Sequence, residues 1–308
     1  MTALPWMGLM DLQTTQTSHR SCRTPHAFFI ALLLWSTTPA LAQEPFWEPL
    51  RPGLTASIWQ PDERCPDMDR LLVIKVNPAL HRFSVHHFAQ EGLLHPPTID
   101  EWQKRSNHEI LFNAGLFREN FAYLGLLFKD GKSLGSRRHS TWQGLFVAEP
   151  QTSLSLPKAG ILDLASDVFH EETPAYLEAA QSLMLLDRKG TIRVRQTGKR
   201  AYQTVVAEEK DGHILILKSL GLVTLHGLGQ CLRDTLPSIT LAMAMDGGSS
   251  SDLVVSESLW KNRDPSDARA SWKDLFTGRS TAHIPLPAII GLSPRESTTG
   301  PVKPSPQP

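Results

Sequence analysis

Thr240-Leu241-Ala242-Met243-Ala244-Met245-Asp246-Gly247-Gly248-Ser249-Ser250-Ser251 is the most informative stretch in this chain of 308 residues. Small and large apolar side chains alternate as far as Met245, the pattern of a buried strand. The strand delivers one carboxylate, Asp246, to its end. There Gly247 and Gly248 permit a turn with positive φ and the close approach of a ligand. Ser249, Ser250 and Ser251 follow with hydroxyls and main-chain N–H groups able to cradle an anion. An Asp-Gly pair also serves ordinary turns, so the meaning of the segment depends on its surroundings.

Outward from it, residues 71–76, 83–88, 109–113, 144–148 and 202–207 have the apolar and β-branched content of strands. Gly-containing turns at 129–132, 187–190 and 210–212 join further apolar runs as hairpins. Two helices are predicted. One spans 174–181, with Thr173 as N-cap and Pro174 in the first position; the other spans 223–235, with Leu225, Leu228, Leu232 and Leu236 three or four residues apart. No regular βαβ rhythm appears, and 23 prolines and 20 glycines favour turns. The expected class is α+β, a mostly antiparallel sheet with a few packed helices in a single domain. That domain covers 71–292, with 43–70 leading into it. The Pro/Ser-rich segment 293–308 has almost no apolar side chains and is predicted to be a disordered tail.

At the N-terminus, Arg20 and Arg23 precede the apolar run 27–35, and Ala40-Leu41-Ala42 follows. This reads as a secretory signal peptide over 1–42, cleaved before Gln43. The run falls short of the ~20 apolar residues that span a bilayer, and no cysteine follows it for a lipid anchor. A periplasmic or secreted protein without a stable membrane anchor is expected. Cys22 leaves with the signal, while Cys65 and Cys231 remain and are expected to pair in an oxidising compartment. Thirty-one basic side chains balance 31 acidic ones, which argues against nucleic acid as a partner.

Three more pieces could carry chemistry. Asn113-Ala114-Gly115-Leu116-Phe117 places an amide at a strand end before a glycine; Gln181-Ser182-Leu183 and Lys199-Arg200-Ala201 are the others. With the Asp246 turn, and in this order, they resemble the phosphodiester glycosidase family over roughly 71–292. The family pattern runs as an Asn-Gly-x-Phe-like turn, a Gln-Ser-Pro-like segment, an Arg-Thr-Ala-like strand start and a strand ending in D-G-G-G-S-S. This chain has N-A-G-L-F, Q-S-L, K-R-A-Y and D-G-G-S-S-S instead. The family's lysosomal member removes N-acetylglucosamine from the phosphodiester that masks mannose 6-phosphate, and bacterial relatives are described as exopolysaccharide-related.

The resemblance implies an exported hydrolase that cleaves the anomeric C–O bond of a glycosyl-1-phosphodiester in an envelope or extracellular glycan, with a sugar-1-phosphodiester or polysaccharide as its substrate. In that reading Arg200 neutralises the departing phosphate, and Asp246 stabilises oxocarbenium character or activates water. Asn113, Gly115, Gln181, Gly247, Gly248, Ser249 and Ser250 hold the sugar. The alternatives are a non-catalytic envelope glycan-binding protein and a metal-dependent phosphodiesterase. No clustered metal motif, P-loop, G-x-S-x-G or CxxC occurs, so the metal ligands are undefined and a structural Ca²⁺ is the one cofactor the reading leaves open. His86 and His87, adjacent on a strand, would face opposite sides and cannot share an ion. His226, alone on its helix, is expected to pack. Trp47, Trp59, Trp102, Trp142, Trp260 and Trp272 could each stack on a sugar, with burial the commoner fate.

Overall fold

The computed structural model describes residues 46–153, 155–261, 272–278 and 283–296. The signal peptide reading of 1–42 and the part of the tail from residue 297 lie outside them.

The first strands are β1 (Glu48–Arg51), β2 (Leu54–Trp59), β3 (Leu71–Val76) and β4 (His81–His87), followed by helix α1 (Ile99–Arg105). Then come β5 (Ile110–Asn113), β6 (Leu127–Lys129), β7 (Lys132–Ser133), β8 (Gly144–Pro150), β9 (Ala159–Asp163) and β10 (Tyr176–Leu186). The chain continues through β11 (Arg200–Ala201), β12 (Thr204–Glu209), β13 (Ile214–Ser219), β14 (Val223–Thr224), α2 (Leu225–Thr235) and β15 (Ile239–Ala244). A 3₁₀ turn at Gly248–Ser250, β16 (Leu253–Val255), a second 3₁₀ turn at Glu257–Leu259, α3 (Lys273–Phe276) and β17 (Ala288–Pro294) complete it.

Every strand pair is antiparallel. One sheet of 11 strands runs β1-β2-β3-β13-β12-β15-β10-β6-β7, with β8 pairing β10 and β9. A four-stranded sheet runs β16-β5-β17-β4, and β11 pairs with β14 alone. Side-chain alternation explains the packing. On β3, Leu72, Ile74 and Val76 face the core between the two sheets, shared with Phe83, Phe112, Phe146 and Ile290. Leu71 and Val73 face the other side, where Leu228, Cys231 and Leu232 of α2 cover them. On the outer face of the small sheet, Ile99 and Trp102 of α1 pack on Leu111, Val254 and Ile289. The layers are helix, small sheet, large sheet, helix.

The antiparallel expectation holds, but the class is mostly β rather than α+β. Residues 174–181, read as a helix, enter the long strand β10. Leu177-Glu178-Ala179-Ala180-Gln181 has good helix propensity, but tertiary pairing overrides it. Residues 176–182 pair with β8, Ala179 and Ala180 also pair with β6, and Leu183–Leu186 reach β15. The second predicted helix stands as α2, capped by Thr224, whose hydroxyl accepts from the Gly227 N–H. The sequence reading missed α1, although Thr98 and Glu101 form a capping box. Two boundaries shift. β1 and β2 extend the large sheet ahead of residue 71, and β17 continues through Ser293 and Pro294 because β4 offers partners as far as His81.

Strand β4 is an edge of the small sheet, and carboxylates of the large sheet seal it. Glu149 accepts from the Phe83 N–H (3.2 Å) and is held bidentately by Arg295 (2.7 Å to each oxygen). Glu178 of β10 accepts from the Val85 N–H (2.7 Å) and the Asp130 N–H (3.3 Å). Burial pushes the Glu178 carboxyl up to about 7 against those hydrogen bonds. A carboxyl raised in the folded state binds more protons there than when unfolded, so its contribution to stability is lost as pH rises from about 4.5 to 7. Glu178→Gln removes that loss. Its stability relative to the wild type should improve by about 2–3 kcal/mol between pH ~4.5 and ~8. Urea unfolding at both pH values tests this, and parallel profiles for the two proteins would refute it.

Candidate functional site

β15 ends at Ala244, and Met245 and Asp246 emerge beside the start of the 3₁₀ turn. Main-chain contacts pin this turn from two sides. The Asp246 N–H donates to the Ala114 carbonyl (3.1 Å), the Met245 N–H to Thr204 (2.9 Å) and the Gly248 N–H to Tyr202 (2.8 Å). Gly248 adopts φ 70°, and a Cβ on Gly247 would press on the Gln203 side chain and the Tyr202 carbonyl. Gly248 is therefore required by its backbone conformation, and Gly247 by the close approach of Gln203 and the Tyr202 carbonyl, which a side chain would have to push aside. The Asp246 carboxylate accepts from the Gly247 N–H (3.0 Å) and from the Ser250 hydroxyl. Burial pushes its pKa up, while Ser250, Gly247 and the charge of Lys199 pull the other way.

Asp246, Gly247 and Gly248 line a cavity of about 540 Å³ with Leu116, Trp142, Arg195, Lys199 and Gln203 among its walls. The indole of Trp142 stacks on His139, ring centroids 3.8 Å apart and planes 14° from parallel. Trp142 is the one tryptophan of the six on this cavity; Trp59, Trp102 and Trp260 are core residues. Arg193 is also in the wall, but Asp163 and Asp187 hold it at 3.4 Å each. Arg195 and Lys199 form no salt bridge among the described residues, so two cations share the cavity with the single carboxylate, whose charge Lys199 feels without contact.

Several residues singled out in the sequence act beneath the site rather than in it. Asn113 is buried. Its amide nitrogen donates to the carbonyls of Asp246 (2.8 Å) and Ala114 (3.1 Å), and its oxygen accepts from the Asp252 N–H (3.0 Å). It clamps the Asp246 turn and is not part of the cavity wall. Gln181 is fully buried. Its oxygen accepts from the N–H groups of Leu126 and His139 (2.9 Å each), and its nitrogen donates to the carbonyls of His139 and Trp142. It holds the stacked aromatic wall in place. Gly115 donates to the Tyr123 hydroxyl (3.0 Å), which in turn donates to the Gln181 carbonyl (2.8 Å), and a Cβ there would collide with both. Ser250 touches Asp246, whereas Ser249 is exposed at the start of the turn.

Arg200 is the clear correction. Its guanidinium points away from the cavity and donates to the Leu222 carbonyl (2.8 and 3.1 Å) and the Asp67 carbonyl (3.2 Å). Adjacent residues of an extended segment face opposite sides, so the neighbours Lys199 and Ala201 line the cavity instead. Arg195, Lys199, Gln203 and Trp142 had no assigned place in the sequence reading beyond Lys199's part in a motif and Trp142's membership of the tryptophan set. The two-residue spacing from Arg193 to Arg195 and from Lys199 to Ala201 was the available signal.

His86 and His87 diverge as expected: His87 is buried, and His86 turns to His108. Among the described residues, the one cluster of three potential metal ligands is Glu209, Asp211 and His213. The Lys75 ammonium already sits there, 2.7 Å from Glu209. Cys65 and Cys231 are disulfide-bonded, with Cα atoms 5.1 Å apart. None of the described helices is long and apolar enough to cross a membrane.

A family model described as phosphodiester glycosidase matches residues 106–276, which include Asn113, Gln181, Lys199 and Asp246. Two solved structures share the fold. The catalytic domain of zebrafish N-acetylglucosamine-1-phosphodiester alpha-N-acetylglucosaminidase, auto-inhibited by its pro-peptide, aligns at 16% identity and TM-score 0.54, covering 80% of this chain and 85% of that one. A hypothetical protein from Synechocystis aligns at 13% identity and TM-score 0.55, covering 84% and 67% respectively. No curated protein matches the sequence.

Proposed function

The chain belongs to the phosphodiester glycosidase family, and from that membership we propose that it hydrolyses the anomeric C–O bond of a glycosyl-1-phosphodiester. The observation that carries this reading is one half-buried carboxylate, Asp246, sharing a 540 Å³ cavity with Arg195 and Lys199, neither of which forms a salt bridge among the described residues, although the Lys199 charge acts on Asp246. A phosphodiester is a monoanion, and two cations against one carboxylate leave the cavity the charge to receive it. Trp142 offers an aromatic face for the sugar ring, held rigid by Gln181.

In the proposed reaction a water oxygen bonds to the anomeric carbon as the bond from that carbon to the phosphate oxygen breaks. The electron pair leaves with the phosphate monoester, whose second pKa near 6 makes it a good leaving group that needs no general acid. Asp246 faces the positive charge growing on the sugar ring and accepts the proton of the attacking water. Arg195 and Lys199 receive the phosphate. Secretion after removal of 1–42, and a substrate in an envelope or extracellular glycan, complete the proposal; the Cys65–Cys231 disulfide supports an oxidising compartment.

Incubating the purified protein with sugar-1-phosphodiesters in ¹⁸O-labelled water tests the reading. Free sugar should appear with the label on its anomeric hydroxyl. Label in the phosphate monoester would point to attack at phosphorus, and saturable binding without turnover would point to a glycan-binding module.

A further inference from the structure

We propose that His86 and His108 form a two-imidazole binding site for a divalent transition-metal ion of the zinc and copper class. The pair lies outside the Asp246 cavity and does not depend on the glycosidase reading. The two Nε2 atoms converge to 2.7 Å, and both rings line a separate cavity of about 360 Å³ with Glu91, Trp102, Ser106 and Asn107.

The outer nitrogen of each ring is anchored. His86 Nδ1 meets Glu91 at 2.9 Å, with the Lys129 ammonium 3.3 Å from both, and His108 Nδ1 meets the Ser293 hydroxyl at 2.7 Å. Histidines that ligate metals carry this second layer of support, a carboxylate or other oxygen on the nitrogen that the metal does not use. The backbone is shaped for the arrangement as well. The His108 ring lies over Gly291 of β17, where any Cβ would collide with it. Ser106 Oγ, buried on the same cavity, has no hydrogen-bond partner among the described residues.

Without an ion, one proton links the rings. With Glu91, the nearer of the two partners of His86 Nδ1, accepting from Nδ1–H, the His86 Nε2 lone pair is left to accept from His108 Nε2–H. An ion requires only that the His108 proton move to Nδ1 and be donated to Ser293, so no net proton is released. The nitrogens must part from 2.7 Å to about 3.3 Å, the spacing set by metal–nitrogen bonds of ~2.0–2.1 Å at a tetrahedral angle. Neutral imidazole suits zinc and copper better than calcium or magnesium.

Equilibrium dialysis of the full chain against zinc chloride near neutral pH should load one ion per chain. His86→Gln and His108→Gln should each weaken uptake at least tenfold, and His213→Gln in the Lys75-filled cluster should leave it unchanged. Because a glutamine at these positions could loosen the fold, Cu²⁺ added to the wild type gives a second readout: its electron paramagnetic resonance should show coupling to two imidazole nitrogens. Negligible zinc uptake by the wild type, undiminished uptake by both variants, or a copper signal without paired nitrogens would each overturn the proposal.

Discussion

Asp246→Asn is expected to lower kcat on a glycosyl-1-phosphodiester by about 10³-fold or more, a loss of about 4 kcal/mol of transition-state stabilisation, while KM stays level or falls. The asymmetry comes from the surroundings of the side chain. An asparagine oxygen can still accept from the Gly247 N–H and the Ser250 hydroxyl, so the turn keeps its shape. The clamps around it, from Asn113 to the Asp246 carbonyl and from Gly248 to Tyr202, use main-chain atoms that the substitution leaves in place. What disappears is the charge. In the ground state that charge repels the phosphodiester and engages Lys199; in the transition state it faces an oxocarbenium-like ring. Removing it therefore costs rate and frees Lys199 for the bound anion. Separate kcat and KM measurements decide the matter. A kcat within tenfold of the wild type would show that Asp246 does not carry the chemistry.

The same cavity shows what the amino-acid sequence can and cannot reveal. The Asp246 motif was legible because its glycines answer local needs, a positive φ at Gly248 and a close approach at Gly247. Asn113 was legible as an amide at a strand end and Gln181 as part of the Gln181-Ser182-Leu183 segment, but their role was not. A buried amide that must satisfy all its hydrogen bonds looks, in sequence, like one that faces a substrate. A guanidinium suits phosphate, which points to Arg200 in the sequence, whereas strand parity decides which residue faces the cavity, and parity depends on the β11–β14 pairing. The long strand β10 was misread for a related reason. Its composition favours a helix, and only its pairing with β6, β8 and β15 makes it a strand. His108 had no sequence signal at all, since its partner His86 lies on another strand and meets it through the small sheet.

Breaking the Cys65–Cys231 bond is expected to have the largest effect on stability. The cysteines are separated by 166 positions, so the bond closes a very long loop in the unfolded chain. The chain-entropy account assigns such a loop about 5 kcal/mol, and residual structure in the denatured state lowers the realised figure into a range of about 3–5 kcal/mol. At roughly 2–4 °C per kcal/mol for a domain of this size, Cys65→Ser should drop Tm by about 10–15 °C. Non-covalent contacts hold the same place by apolar packing of Trp59, Leu71 and Val73 on Leu228 and Leu232, while the hydrogen bond from Arg64 to the Asp234 carbonyl at the end of α2 (3.0 Å) is exposed. Losses should therefore concentrate on α2 and on what it supports. Leu225, the first residue of that helix, lines the Asp246 cavity, and Thr224 pairs with Arg200 in the ribbon that presents Lys199. A variant still folded at 25 °C should thus show a raised KM for the phosphodiester as well as a lower Tm. If Cys65→Ser unfolds within about 1 kcal/mol of the wild type, the remaining contacts of α2 suffice, and the disulfide is not what secures that wall of the cavity.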